Sequence, residues 1–296
     1  MPELLGVPDV ESIRLRASGV DLHAVAAGRP DAPLVVLLHG FPEFWYAWRH
    51  QIGPLAAAGL RVVALDQRGY NRSDKPAGRR AYRLDALADD VLAAARSLGR
   101  ERFSVVGHDW GGIVAWHLAS RDAARIERAA VLNAPHAATL WRHLAAHPTQ
   151  AARSWYVAFF QAPLLPEWTL AAGNHAALRG SMAATARPDT FSAAELDRYG
   201  EAWAQPGALG AMLNWYRALP LQPGALAPTA PIQPPVRIIW GERDAFLDAG
   251  LAQAGAALCA RAEVLRVHDA THWVHHEEPA RVARLLAEFL VPGVIG

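Results

Sequence analysis

Phe103-Ser104-Val105-Val106-Gly107-His108-Asp109-Trp110-Gly111-Gly112 joins two unlike patterns. Residues 103–106 make an apolar run of strand length. From Ile113 through Trp116 to Leu118, apolar side chains recur at helical spacing. Between the two runs lies a small residue, any residue, an acid, any residue, and a small residue again. A tight strand-to-helix turn needs small residues on both flanks of its apex, because side chains there would collide across the turn. Gly107 and Gly111 meet that need. The pattern is G-x-S-x-G with aspartate in the serine's place. Its apex side chain stands clear of the backbone at a helix N-terminus, where negative charge is favoured. Asp109 is there either a positioned nucleophile or a cap on the helix.

Working outward, the flanking chain repeats the alternation. Residues 12–17 and 20–26, joined by Ser18-Gly19, read as a hairpin at a sheet edge. Residues 34–38 are a continuous apolar run, as in a strand covered on both faces, and end in His39-Gly40-Phe41-Pro42. Residues 45–60 look helical in part. Residues 61–65 form another buried strand, ending in Asp66-Gln67-Arg68-Gly69-Tyr70. A helix with Leu84, Leu87, Val91, Ala94, Ala95 and Leu98 on one face precedes the Asp109 turn, closed by Gly99. Residues 129–132 give a further strand. Such alternation predicts a mostly parallel sheet with helices on both faces and right-handed crossovers.

After Asn133-Ala134-Pro135 the texture changes. To about Leu219 there is helical periodicity, many aromatics and no convincing strand; a proline-dense linker follows, from Pro220 to Pro235. The alternation then resumes with strands at 236–240 and 262–267 and helices at 251–260 and 279–290. The simplest account is one α/β core, residues 1–135 and 231–296, interrupted by a helical cap at 136–230. An insertion after a strand's C-terminal end sits over the crevice where open α/β sheets bind ligands.

Bulk properties narrow the function classes. The chain has 296 residues, 52% of them hydrophobic, which is ample for a sizeable core. Its formal net charge is +1 and no block of like charge stands out, so neither nucleic acid nor a membrane surface is an expected partner. A single cysteine, Cys259, excludes a disulfide framework within the chain. Residues 1–10 lack the basic-then-apolar order of a signal peptide, and no apolar stretch reaches bilayer length. A cytoplasmic protein is expected, as monomer or homo-oligomer.

Two later stretches supply partners for Asp109. Trp240-Gly241-Glu242-Arg243-Asp244 ends one strand with an acid, and Asp269-Ala270-Thr271-His272-Trp273 follows the next with a histidine. Parallel strands bring their C-terminal ends to one edge, so the order nucleophile, acid, histidine can converge there. Here the sequence resembles the α/β-hydrolase family, and within it the epoxide hydrolases. The likeness is carried by His39-Gly40-Phe41-Pro42-Glu43-Phe44-Trp45-Tyr46, Asp66-Gln67-Arg68-Gly69-Tyr70, Gly107-His108-Asp109-Trp110-Gly111-Gly112 and Gly241-Glu242-Arg243-Asp244. It implies Asp109 as nucleophile, His272 as general base and Asp244 as its orienting acid. The backbone N–H groups of Phe41 and Trp110 would form the oxyanion hole. Ser154-Trp155-Tyr156 before Phe159-Phe160-Gln161, and Asn214-Trp215-Tyr216-Arg217, resemble the two cap segments that each present a tyrosine to the epoxide oxygen. Trp155, Phe160 and Trp215 are expected to meet an apolar, aromatic-tolerant substrate.

The chemistry suits these residue types. Opening an epoxide means attacking a saturated carbon. A serine would leave an ether, which water does not readily cleave, whereas a carboxylate leaves an ester, which it does. An aspartate, with an unperturbed pKa of about 3.9, is ionised without help. His272 is then free to activate water, and the phenols of Tyr156 and Tyr216 can donate to the developing alkoxide. The expected partners are a small-molecule epoxide and water, with no metal or organic cofactor. The dense tract His268, His272, His275, His276 and Glu277 lacks the glutamate of a zinc-protease helix within 268–272, and His275 and His276 read as a polar rim. The alternative activity is a haloalkane or haloacid dehalogenase using the same aspartate. Trp110 could donate to halide, with Trp155 or Trp215 as a second donor. Against it, Phe41 stands where haloalkane dehalogenases usually carry asparagine, and Trp110 where haloacetate dehalogenases look for arginine. A non-catalytic small-molecule receptor on the same shell is the third reading, and a complete nucleophile, base and acid set argues against it.

Overall fold

The computed structural model describes residues 5–221 and 230–291. Eight strands form one sheet in the order β1-β2-β4-β3-β5-β6-β7-β8. The edge hairpin is β1 (Glu11–Arg16) and β2 (Asp21–Ala27), antiparallel to each other. β2 also runs antiparallel to β4 (Arg61–Leu65). All other pairings, through β3 (Leu34–Leu38), β5 (Phe103–His108), β6 (Ile126–Leu132), β7 (Val236–Gly241) and β8 (Ala262–Val267), are parallel. Every residue of β3, β4 and β5 is buried, which is why these strands read as unbroken apolar runs. Helices cover both faces. α1 (Arg49–Ala57) packs against the helix Pro279–Leu290, and α2 (Leu84–Ser97) against α3 (Trp110–Arg121).

The strand order fixes where the site lies. From β3 the chain crosses to β4 on one side, while from β5 it crosses to β6 on the other. The loops leaving β3 and β5 therefore diverge and open a crevice at their C-terminal ends, the switch point of an open α/β sheet. Phe41 and Asp109 stand in those two loops.

Among the described residues, only helices lie between β6 and β7. They are α4 (Ala137–Ala146), α5 (Pro148–Arg153), α6 (Trp155–Phe159), α7 (Leu165–Thr185), α8 (Ala193–Trp203) and α9 (Ala208–Arg217). α7 is broken at Ala172, and Gly173, Asn174 and His175 take left-handed angles, so the chain turns within it. α8 starts with a capping box in which Ser192 and Glu195 satisfy each other's backbone N–H groups. The other Glu195 oxygen accepts from Arg49 at 2.5 Å. Further side chains bind these helices to the sheet's loops: Trp203 donates to the Pro42 carbonyl at 2.6 Å, Gln150 to that of Phe246 at 2.7 Å, and Trp273 to the Thr185 hydroxyl at 3.0 Å. Half of the proline-dense linker, residues 222–229, falls outside the described residues. No described helix is long and apolar enough to cross a membrane.

Candidate active site

Asp109 follows β5 directly, with φ 50° and ψ −120°. Such a positive φ is strained for a residue with a Cβ and marks a turn held by its surroundings. The surroundings are tight. A Cβ on Gly107 would lie 2.1 Å from the Gly111 carbonyl oxygen, and one on Gly111 would lie 2.2 Å from that of Leu38. The turn closes only because both are glycine. The Asp109 carbonyl accepts the Ile113 N–H at 3.0 Å, so the backbone enters α3 while the carboxylate stands free.

The Phe41 N–H donates to Asp109 Oδ1 at 2.9 Å. The other oxygen, Oδ2, lies 3.7 Å from His272 Nε2. His272 Nδ1 bonds Asp244 Oδ2 at 2.8 Å. Asp244 is saturated with donors: Oδ1 accepts from the Phe246 and Leu247 N–H groups at 2.8 and 3.0 Å, and Oδ2 also accepts from Asn133 Nδ2 at 2.8 Å. Burial alone would raise the Asp244 pKa; His272, Asn133 and the Phe246 N–H outweigh it and hold the carboxyl below its ordinary value. Burial alone would lower the His272 pKa. The Asp244 charge and hydrogen bond, with Asp109 behind them, outweigh it and push the imidazole up to about 9.

Tyr156, on α6, and Tyr216, on α9, face one another with ring centroids 6.0 Å apart. Burial raises both phenol pKa values, as do the charge of Asp109 and, for Tyr156, that of Asp244. Both therefore stay protonated, as hydrogen-bond donors, across the neutral range. The Tyr216 ring packs edge-on against Phe41 and Trp110, at 5.3 and 5.1 Å. Two cavities meet here. The larger, about 700 Å³, is bordered by Phe41, Trp155, Phe160 and His272; the smaller, about 400 Å³, by Trp110, Ile113 and Leu140. Asp109, Tyr156 and Tyr216 border both.

The structure therefore brings together Asp109, Asp244, His272, Tyr156, Tyr216, Phe41 and Trp110, whose N–H opens α3 directly after Asp109. Trp155, largely exposed, and the buried Phe160 border the larger cavity. Trp215 is a correction. It is fully buried, borders neither cavity, donates its indole N–H to the Arg68 carbonyl at 3.1 Å, and packs behind Trp110 and Tyr70. Asn133 was missed, although its place at the C-terminal end of β6, level with the other site residues, was a usable signal.

The histidine tract is a second correction. His275 and His276 form no rim; they are buried around Glu43. His268 instead is exposed and pairs with Glu242, while Glu277 bonds Thr271 and Arg187. Glu43, His275 and His276 are the described group compact enough to hold a metal ion, their ligand atoms all within 4.8 Å. The hydrogen bonds speak against that use. Arg49, a donor only, points at His276 Nδ1 from 3.0 Å, so the proton sits on Nε2 and is donated to Glu43 at 2.6 Å. An N–H, not a lone pair, faces the centre. Glu43 also accepts from the Tyr199 hydroxyl at 2.9 Å and lies 3.2 Å from His108 Nδ1, and His108 Nε2 donates to the His272 carbonyl at 2.9 Å.

Comparison with known proteins agrees with this geometry. The family model described as alpha/beta hydrolase fold matches residues 33–279. The chain is 46% identical to the AB hydrolase superfamily protein YfhM of Bacillus subtilis, over 93% of this chain and 96% of that one. It is 35% identical to mouse epoxide hydrolase 4, over 94% and 78%. Its fold matches a Bacillus megaterium epoxide hydrolase solved with an inhibitor at TM-score 0.86 and 29% identity, covering 94% and 99%. A metagenomic epoxide hydrolase from hot environments matches at TM-score 0.84 and 33% identity, covering 95% and 99%. With the strand order, the aspartate turn and the converging acid and imidazole, these likenesses establish that the chain belongs to the α/β-hydrolase family, in its epoxide hydrolase branch.

Proposed function

We propose that the protein hydrolyses an apolar epoxide to a vicinal diol through a covalent ester on Asp109. Residues 1–135 and 231–296 act as the core and 136–230 as the cap. The observation that carries the reading is that, among the described residues, Asp109, Tyr156 and Tyr216 alone border both cavities, with carboxylate and phenols at one junction. An epoxide there has its carbon toward Asp109 and its oxygen toward the two phenols. The carboxylate displaces the carbon–oxygen bond, and the phenols stabilise the alkoxide that forms. Water activated at His272 Nε2 then attacks the ester carbonyl, whose oxygen lies where Oδ1 now accepts the Phe41 N–H. The Trp110 N–H completes that oxyanion hole.

The pKa of His272 fits the sequence of steps. The Asp109 charge is one of the causes holding the imidazole up at about 9. Esterification removes that charge, so the imidazole gives up its proton more readily when a base is needed. Trp215 weighs against a dehalogenase, because the indole N–H that could have met a halide is committed to the Arg68 carbonyl.

A single turnover in heavy-oxygen water, with enzyme in excess, tests the path. The diol should carry no solvent oxygen and the Asp109 peptide should be labelled. Label in the first-turnover diol with none on Asp109 would mean direct attack by water. The protein's setting is taken to be the cytoplasm, with epoxide and water as its partners.

A further inference from the structure

Asp66 opens the motif Asp66-Gln67-Arg68-Gly69-Tyr70, yet it borders neither cavity. Its carboxylate serves the antiparallel end of the sheet instead. Oδ1 accepts the Trp45 N–H at 3.0 Å, and Oδ2 accepts from Asn71 Nδ2 at 2.8 Å. Oδ2 also meets Nδ1 of His23, on β2, at 2.7 Å. A carboxylate can only accept, so Nδ1 holds the ring proton and, in the neutral ring, Nε2 holds the lone pair. Nε2 faces the hydroxyl of Ser12, on β1, at 2.9 Å. The hydroxyl therefore donates to the imidazole. Hydroxyl, imidazole and carboxylate stand in line as nucleophile, base and orienter, a constellation recognised by geometry rather than by place in the chain. Their burial is graded to match: Asp66 and His23 are buried, and Ser12 is exposed. Ser12 lies four strands from β5 across the sheet, about 19 Å at ~4.8 Å per strand.

The backbone adds a donor. The hairpin closes with the Ala17 N–H on the Val20 carbonyl at 2.9 Å. Bonded and unbonded pairs alternate along an antiparallel ladder, so Ile13 and Ala24 are a bonded pair, whereas Ser12 with Val25 and Arg14 with His23 are not. The other side of β2 agrees, since the His23 carbonyl accepts the Asp66 N–H at 2.9 Å. The N–H groups of Ser12 and Arg14 thus point away from β2, off the edge of the sheet. The Ser12 N–H can donate to an oxygen brought against its own Oγ. Arg14, directly opposite His23, sets a cation on the same face.

We propose that Ser12, His23 and Asp66 form a second nucleophilic site, separate from Asp109, at which Ser12 is acylated by activated esters. Ser12 Oγ attacks the ester carbonyl while its proton passes to His23 Nε2. The imidazolium returns that proton to the departing oxygen, so the alcohol leaves and the acyl group stays on Ser12. Water activated by the same imidazole then cleaves the acyl ester, releasing the acid and restoring the hydroxyl. Neither cavity reaches Ser12, so the site suits small aryl esters, whose phenoxide leaves readily. The serine alkoxide is the poorer leaving group. The second step is therefore the slow one, and the acyl form accumulates.

The experiment uses the full chain carrying Asp109→Asn, so that the first site contributes no carboxylate, with 4-nitrophenyl acetate as the probe. Mixing should release a burst of about one nitrophenolate per chain. Peptide mass spectrometry should place an acetyl group on Ser12. Exposed Ser18, in the same hairpin, is the internal standard. Ser12 should be acetylated at least about a hundredfold faster, the scale of general-base assistance. Ser12→Ala should abolish the burst. His23→Gln, checked for folding by thermal melting, should bring Ser12 down to the rate of Ser18. Heavy water tests the same point without touching a buried residue: acetylation of Ser12 should slow, because a proton moves in the transition state. Acetylation of Ser12 no faster than that of Ser18, a burst that survives Ser12→Ala, or a rate that heavy water leaves unchanged would overturn the proposal. His23 would then be a hydrogen-bonded core histidine and nothing more.

Discussion

Two imidazole–carboxylate clusters lie side by side in this protein, joined by one bond from His108 to the His272 carbonyl. In the first, a single imidazole, His272, stands between two carboxylates, Asp244 and Asp109. In the second, three imidazoles, His108, His275 and His276, surround a single carboxylate, Glu43, with Arg49 behind. Both are buried, so burial opposes protonation of histidine in each. The outcomes are opposite: His272 is pushed up to about 9, whereas burial, helped by neighbouring His108 and cationic Arg49, holds His276 down at about 4 despite Glu43. The ratio of acids to bases decides the sign, not the depth. Only the first cluster also opens to a cavity.

Breaking the first cluster should have the largest effect. Asp244→Asn places an amide where Oδ2 now accepts from both Asn133 and His272. Whichever way that amide turns, a pair of donors then faces its NH2 group, either Asn133 and His272 or the Phe246 and Leu247 N–H groups. Ester hydrolysis should slow on the order of a thousand- to ten-thousand-fold, while ester formation changes much less. Rapid-quench measurement of both steps checks this, and equal slowing of both would remove Asp244 from the second step.

Next in size is the pH dependence of stability, in which the clusters should act at opposite ends. His276, lowered to about 4, stays neutral when folded, so below pH 6.5 the unfolded chain takes up the proton first. Stability should fall from about pH 6.5 to about pH 4, by on the order of 3 kcal/mol. Glu43, held well below its ordinary value, adds its own loss only below pH 4.5. His272, raised to about 9, gives stability that is complete below pH 6.5 and is lost as the pH rises through 9, by a similar amount. Urea unfolding across pH should show both limbs. His276→Gln should make the acid limb shallower, though not abolish it, because burial also holds His275 and His136 down, and should leave the alkaline limb unmoved; an acid limb of unchanged steepness would contradict the buried-neutral assignment.

The smallest effect sharpens the comparison without cutting the hydrogen bond between Asp244 and His272. Asp109→Asn should lower the pKa of His272, by less than Asp244→Asn does, because Asp244 both lies closer and shares a hydrogen bond. His276 should titrate as before. Imidazole resonances followed by NMR report both. A His272 titration unmoved by the substitution would mean that Asp109 does not act on the imidazole.

The sequence carried the first cluster and hid the second, for a physical reason. Asp109, Asp244 and His272 each follow a strand of a parallel sheet, and chain order alone sends such residues to one edge. Glu43 in the loop after β3, His108 at the end of β5, and His275 and His276 on a short helix (Val274–Glu277) come from three separate elements, and no periodicity joins them. In the sequence the histidines merely neighbour one another, and neighbours at a surface and neighbours in a core look alike. Trp215 was misread differently. It precedes Tyr216 on a helix, and adjacent residues there point about 100° apart. If one faces Asp109, the other faces the wall. Asn133 was read as a breaker of texture, since nothing local marks it as a donor to an acid 111 residues away.

The glycine-lined turn at Asp109 also bears on how such a protein can change over time. A single methyl group at Gly107 or Gly111 would overlap a carbonyl oxygen, and one at Gly40 would sit 2.4 Å from the Asp109 Cβ. The smallest substitutions open to these positions are thus already destructive. The chamber walls are the reverse: Ala152 and Ala177 in the larger and Ala151 and Ala158 in the smaller are all exposed alanines. Each can grow a side chain without moving the backbone. Mutational drift is thereby channelled away from the chemistry and into the shape of the cavity, so a lineage of such chains can trade one substrate for another while the reaction stays the same.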